Sequence, residues 1–238
     1  MNPSTASGRA GGSLVRQAMQ AVTGHIRAEA LHVGDTLPGE GHFAAQLGVS
    51  RAVMREAFGA LAALNLIEVA NGRRPRVAAL DASPLAASLA HAVSTDQVSV
   101  RQVWDVRRTL EVRTAELAAE NRTDEEAAHL IALANAMGQS AGDLARVATH
   151  DVAFHLGIAQ ATRNELFRQI VASFGPLMQV AIPAAWRTRE TAAQRTDVFE
   201  RHREVARAIA AHDPAAARRA MEAHFDQSVG HLLASLEG

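Results

Sequence analysis

The sequence predicts a mainly α-helical protein, an N-terminal winged helix-turn-helix with a small two-stranded wing followed by a C-terminal all-α helical bundle. Three observations carry that prediction. Alanine is abundant while aromatics make up only 4% and tyrosine is absent, a balance that favours helix over sheet. The run Leu47-Gly48-Val49-Ser50-Arg51-Ala52-Val53-Met54-Arg55-Glu56-Ala57-Phe58 reads as the turn and second helix of a helix-turn-helix. From Pro84 onward every periodic stretch has helical spacing, and none alternates as a strand would.

Taken in order, residues 1–12 are rich in Ser, Gly and Ala and read as a flexible tail. Over 13–30, Val15, Met19, Val22 and Ile26 recur every three or four residues, which predicts an amphipathic helix. Gly34, Asp35, Pro38 and Gly39 break it, and Pro38 favours an extended entry to a short helix over 40–47. Gly48 can take the left-handed backbone that ends that helix, and Ser50 is placed to cap the next one. In this second helix Val53, Ala57, Leu61 and Leu64 are expected to face the core. Arg51 and Arg55, four apart in its first turns, point elsewhere together. Such arginines suit phosphates or the acceptor edge of guanine, although Arg55 could equally pair with a nearby carboxylate. Leu66 through Val69 has strand character, Asn71-Gly72 is a hairpin signal, and Arg76-Val77-Ala78 can return as the second strand. Arg73 and Arg74 then sit at the tip of the wing.

The chain, at 238 residues, is long enough for two domains, and the expected division is a DNA-binding domain over 13–80 and a helical domain over 81–238. Charge supports that division. Up to Leu80 eight arginines stand against five acids, +3, so the remainder carries -4 of the total -1. Cysteine is absent, which excludes disulfides and thiolate metal sites. With no membrane-length apolar run and no secretory pattern at the start, a cytoplasmic protein is expected.

At this point a family resemblance emerges. The run Gly34-Asp35-Thr36-Leu37-Pro38-Gly39-Glu40, then Leu47 to Arg51, Arg55-Glu56-Ala57, Leu66-Ile67 and Asn71-Gly72 resembles the N-terminal domain of GntR-family bacterial transcription regulators. The resemblance implies DNA contacts from Ser50, Arg51 and Arg55 on the recognition helix. It also implies a wing-tip contact at Gly72, with Asn71 or Arg73 beside it. The sequence departs from the family at Gly41, where relatives often carry a basic or polar residue after the acid of the short helix.

Behind the linker, helices are expected over 85–93, 100–121, 123–137, 143–162, 164–187 (interrupted at Pro176 and Pro183), 191–212 and 214–236. The first of these is the weakest, so six or seven helices remain open. Three put histidine on an otherwise apolar stripe: Ala148, Val152, His155 and Ala159; Val198, His202, Val205 and Ile209; Met221, His224, Ser228 and Leu232. Asp151 lies one turn before His155. A lone inward histidine is ordinarily a core residue bonded to a carbonyl. Three from three helices, with a carboxylate beside one, also suit a divalent transition ion: zinc first, with nickel or manganese as alternatives.

Asp151-x-x-x-His155, His202-Arg203-Glu204 and His224, with Arg107-x-x-Leu110-Glu111 upstream, resemble the FCD effector-binding domain of the FadR subfamily. That resemblance implies metal ligation by Asp151, His155, His202 and His224, and a small carboxylate effector clamped by Arg107. The plainer reading of Arg107 is an ion pair with Glu111, four residues on. Asn164 reads as a helix cap. The resemblance as a whole implies a homodimeric, metal-binding regulator, most simply a repressor, bound to an inverted-repeat operator. Two alternatives stand beside it: a metal-dependent hydrolase, and a regulator whose metal is purely structural.

Overall fold

A computed structural model of the chain describes residues 4–187, 189 and 191–234, with side chains described within 12–227. It divides into two compact units, Met1–Pro84 and Leu85–Gly238.

In the first unit, α1 (Ser4–Ala28) is followed by α2 (Glu40–Leu47), α3 (Arg51–Ala63) and an antiparallel pair, β1 (Ile67–Glu68) and β2 (Arg76–Val77). Helix α1 begins ahead of residue 13, so the described part of the stretch read as a tail is helical. No proline after Pro3 stops it. The turn between α2 and α3 forms as the sequence implies. Gly48 closes α2 at φ 65°, and the Ser50 hydroxyl accepts from the Val53 N–H at 3.3 Å. The core side of α3 differs from expectation. Met54, Ala57, Phe58 and Leu61 are buried, Val53 is half-buried, and Leu64 is 49% exposed. Met54 and Phe58 pack with Phe43 of α2 and with Ala18 and Val22 of α1, turning the helix toward its larger side chains. Leu64 lies beyond the last helical residue.

The wing pairs Ile67 with Val77 and Glu68 with Arg76. Its strands are shorter than the sequence suggests, and the loop between them is longer than a two-residue hairpin. The Arg73 N–H bonds the Ala70 carbonyl at 3.1 Å, closing a turn in which Gly72, at φ 72°, supplies the positive dihedral. Thr36 bridges to Arg76, whose guanidinium bonds the Gly34 carbonyl at 2.6 Å. Arg76 therefore ties the base of the wing to the loop ahead of α2.

The second unit holds seven helices among the described residues: α4 (Ser83–Ser94), α5 (Val100–Asn121), α6 (Asp124–Gln139), α7 (Leu144–Ala161), α8 (Glu165–Arg187), α9 (Ala192–Ala210) and α10 (Pro214–Ala234). Their starts are written in the sequence. Ser99 with Gln102, Thr123 with Glu126 and Thr191 with Gln194 form reciprocal capping boxes. Asp143, Asn164 and Asp213 each accept backbone N–H groups at the head of a helix. Contrary to expectation, α8 runs through Pro176 and Pro183 as one helix. Packing along α7 compensates for the backbone bonds the prolines remove; a side chain at Gly175 would meet Val152 at 3.4 Å. Helix α5 lies against α7, α9 and α10, so its inner face can meet side chains from all three. The core is filled by Phe154, Ile158, Met178, Trp186, Phe199, Val205, Ile209 and Phe225.

One ion pair links two of these helix starts. Arg163 donates to both oxygens of Glu126 at 2.7 Å, and this holds the carboxyl below its ordinary value of 4.5. A depressed carboxylate stabilises the fold above its unfolded pKa, and that stability is lost as pH falls through the folded value. Glu126→Gln keeps the capping box and removes the charge. Both side chains are partly exposed, so the effect is small: the melting temperature is expected to fall by at most about 3 °C at pH 7. Thermal melts across pH 7 to 3 should show the gap to wild type closing below the ordinary glutamate value.

Candidate functional site

Two groups of residues stand out, one in each unit. On the first unit Arg51 and Arg55 project from the opening turns of α3, and Asn71, Gly72, Arg73 and Arg74 form the exposed tip of the wing. The side chains of Arg51, Arg55, Arg73 and Arg74 make no ion pair or hydrogen bond among the described residues. Arg55 thus has no carboxylate partner of its own. Long side chains held out by a rigid helix with no internal acceptor are positioned for an external one. The Arg51 guanidinium lies 3.9 Å from where a side chain at Gly41 would begin. The space left by that glycine borders on an arginine from the next helix.

In the second unit α7 brings Asp151 and His155 to the bundle interior, α9 brings His202, α10 brings His224, and α5 brings Arg107 and Glu111. All six are buried. His155, His202 and His224 each offer a ring nitrogen within 4.8 Å of the others. His202 Nδ1 lies 2.8 Å from the Val198 carbonyl, which can only accept, so the proton is there. Its Nε2 faces Asp151 Oδ1 at 3.0 Å, a hydrogen bond when that nitrogen is also protonated and a cation site when it is not. His155 places Nδ1 against Glu111 and turns Nε2 toward the other Asp151 oxygen, at 3.8 Å. Phe154 packs edge-on against His155 and His202, and Phe225 edge-on against His224 and tilted against His155, so that the two rings wall the cluster from water.

Burial opposes the charge on both carboxylates but does not prevail. For Asp151 the His202 hydrogen bond and the charges of His155, His202 and Arg107 outweigh it, and the group is held well below the usual range. For Glu111 the charges of Arg107 and His155 do the same. Burial first, then the neighbouring His202 and His155, pushes the His224 imidazole well below 6.5, so it is neutral at pH 7.

These states fit a divalent ion. Metal ligation needs neutral imidazole and ionised carboxylate, and His224 supplies the first and Asp151 the second. Two imidazoles have one nitrogen fixed by a carbonyl or a carboxylate and the other turned toward the cluster. Such partners orient metal-binding histidines and raise their basicity. Two Nε2 atoms aimed at one carboxylate also leave a place for a cation between them.

Arg107 is oriented by its neighbours. Its Nε bonds Glu111 at 2.7 Å, its Nη1 meets the Met178 sulfur, and Trp104 and Phe225 lie under its planar face. The pairing with Glu111 that spacing suggests is therefore present, yet Arg107 also lines a cavity of about 40 Å³ together with Asp151 and the three histidines. Thioether sulfur is a weak acceptor and would yield to a carboxylate. Three further residues here were not singled out from the sequence. Glu111 was visible only as the partner of Arg107, although an acid on the buried stripe of α5 was a signal. Trp104 reads as core. Arg189 lies between α8 and α9, where no periodicity places it.

Comparison with known proteins places both halves. A model described as "Bacterial regulatory proteins, gntR family" matches residues 14–77, and one described as "FCD domain" matches residues 102–227. The HTH-type transcriptional regulator LutR of Bacillus subtilis (strain 168) is 31% identical over 201 residues, 82% of this chain and 90% of its own. The Glc operon transcriptional activator of Escherichia coli (strain K12) is 30% identical over 200 residues, covering 82% and 79%. Among solved structures, Streptococcus agalactiae GntR matches with a TM-score of 0.62 at 27% identity, over 90% of this chain and 97% of that one.

Proposed function

Because the chain belongs to the GntR family of bacterial transcription regulators, in the FadR subfamily whose second half is an FCD domain, we propose that it is a repressor whose operator binding is set by a small carboxylate held in the buried pocket of its bundle. The family is one of DNA-binding regulators and not of enzymes, so the hydrolase reading falls away. The observation that carries the proposal is the buried cluster of Asp151, His155, His202 and His224 with Arg107 on the same cavity.

In this reading residues 13–80 bind DNA and 81–238 bind the effector. Ser50, Arg51 and Arg55 contact one half-site through the major groove, and Asn71, Gly72 and Arg73 reach the neighbouring backbone or groove from the wing. The protein acts as a homodimer in the cytoplasm on an inverted repeat, since two-fold symmetry in the protein maps onto the operator. Repression follows from occupancy alone, whereas activation would need a further surface for the transcription machinery.

Asp151, His155, His202 and His224 would hold a divalent transition metal. Imidazole and carboxylate donors favour zinc, with nickel or manganese next. A bound ion supplies open coordination positions for a carboxylate oxygen. Arg107, charged and held from behind by Glu111, pairs with the same carboxylate, and the aromatic walls exclude competing water. The effector controls DNA binding only by preferring one arrangement of the dimer over another.

Thermal melts of metal-loaded and metal-stripped protein with a panel of small carboxylates test this. At about 100 times its Kd a true effector stabilises by about 2.7 kcal/mol, which raises Tm by roughly 5–10 °C. The shift is expected in the loaded protein alone. An equal shift in stripped protein would make the metal purely structural, and no shift with any acid would remove the carboxylate reading.

A further inference from the structure

The cavity beside the histidine cluster holds more hydrogen-bond donors than one carboxylate can use. Arg189 lines it, is only 5% exposed, and its Nε has no hydrogen-bond partner among the described residues. Trp104 lines it too, is 6% exposed, and its indole N–H is likewise unsatisfied. A buried guanidinium without an acceptor is among the most costly groups a core can contain, and native cores seldom leave one unpaired.

The local backbone holds Arg189 in this position. Its N–H bonds the Trp186 carbonyl at 3.1 Å, and its own carbonyl accepts from Arg195 Nε and Nη2 at 3.2 and 3.0 Å. The Trp186 ring lies 5.5 Å from the guanidinium carbon, an apolar wall that supplies no oxygen. Asp151 attracts the charge through space, but His202 and His155 engage its two oxygens. Arg107, by contrast, already has Glu111. The two arginines of the pocket thus differ: Arg107 is paired with Glu111, and Arg189 has no acceptor for its Nε among the described residues.

We propose that the effector is a two-headed acid, a dicarboxylate whose first carboxylate lies at Arg107 and the histidine cluster and whose second is taken by Arg189. The Trp104 N–H serves an acceptor atom of the same ligand. A monocarboxylate at the first position leaves Arg189 a buried, unpaired cation, and this is the basis of discrimination. Leaving a buried polar group unpaired penalises the wrong ligand more than an added contact rewards the right one.

The inference rests on the carboxylate-effector reading, and calorimetric titration separates the two. Metal-loaded full-length protein is titrated with malonate and succinate and with propionate and butyrate, which have the same chain lengths and one carboxylate fewer. Wild type is expected to bind a diacid at least about ten-fold more tightly than its monoacid counterpart. Arg189→Gln is expected to erase that preference, leaving monoacid affinity within about two-fold of wild type, with metal content unchanged. Arg189→Lys, which keeps the charge, should retain part of the preference should the glutamine variant fail to fold. Equal binding of diacids and monoacids by wild type would overturn the inference, as would an Arg189→Gln protein weakened equally for both. Binding of no acid of either kind would overturn the carboxylate reading itself, and this inference with it.

Discussion

Replacing Arg55 with alanine is expected to lower operator affinity by about 30-fold or more at physiological salt while leaving the fold intact. A bidentate contact between arginine and a base is worth about 1–3 kcal/mol, and the proposed symmetric dimer would make it twice. The two copies together reach roughly 2–6 kcal/mol, or about 30-fold to 10⁴-fold. Little of this should appear as lost stability. The Arg55 side chain is exposed and makes no ion pair or hydrogen bond among the described residues, and such surface changes stay within about 0.5 kcal/mol. Anisotropy titrations of operator DNA, with circular dichroism as the fold control, measure both. Arg55→Lys should not restore a bidentate base contact, because the ammonium lacks the planar fork. A uniform loss across DNA sequences with a shallower salt dependence would instead assign Arg55 to phosphate. Full operator affinity in Arg55→Ala would contradict the placement of α3 on DNA.

His202→Ala is expected to take metal content from about one ion per chain to near zero, read by elemental analysis of the purified proteins. His202 is the ligand candidate held on both sides, by the Val198 carbonyl and by Asp151. The substitution also removes the hydrogen bond that keeps buried Asp151 ionised, and breaking a buried pair from one side costs roughly 3–5 kcal/mol. The bundle should therefore melt earlier, while the first unit, with its separate core, keeps its helical signal. His129→Ala is the control, since His129 is exposed on α6 and should leave metal content unchanged. Metal retained in His202→Ala would remove His202 from the ligand set, and no metal in either protein would mean that the three histidines are core residues.

Much of this architecture was legible because its signals are local. Gly48 and Ser50 mark the helix-turn-helix by chemistry that acts within four residues. The Thr123 box and the Asp213 cap likewise mark the starts of α6 and α10. Signals that depend on tertiary partners were harder to read. The buried face of α3 turned toward Met54 and Phe58 because the facing residues of α1 and α2 favour larger side chains, which spacing within α3 does not reveal. Two prolines read as breaks in α8 because the pattern carries no record of the helix packed alongside.

The site followed the same division. Histidines at helical spacing with Asp151 one turn away announce themselves, and the fold brings them together. Ser228 and Leu232, expected on the same stripe of α10 as His224, have side chains outside those described. Arg189 was silent because a connecting segment has no period, and its importance depends on an absence of partners that only three dimensions expose.

The most direct test of the account is the affinity of the metal-loaded protein for its operator, selected from a randomised duplex pool, with and without the carboxylate that raises Tm most. The account predicts that the acid weakens operator binding at least about five-fold, within the usual range of allosteric coupling, and that stripping the metal abolishes the effect. Operator affinity that is the same with the acid, without it and after metal removal would contradict the claim that the buried pocket controls the DNA-binding domain.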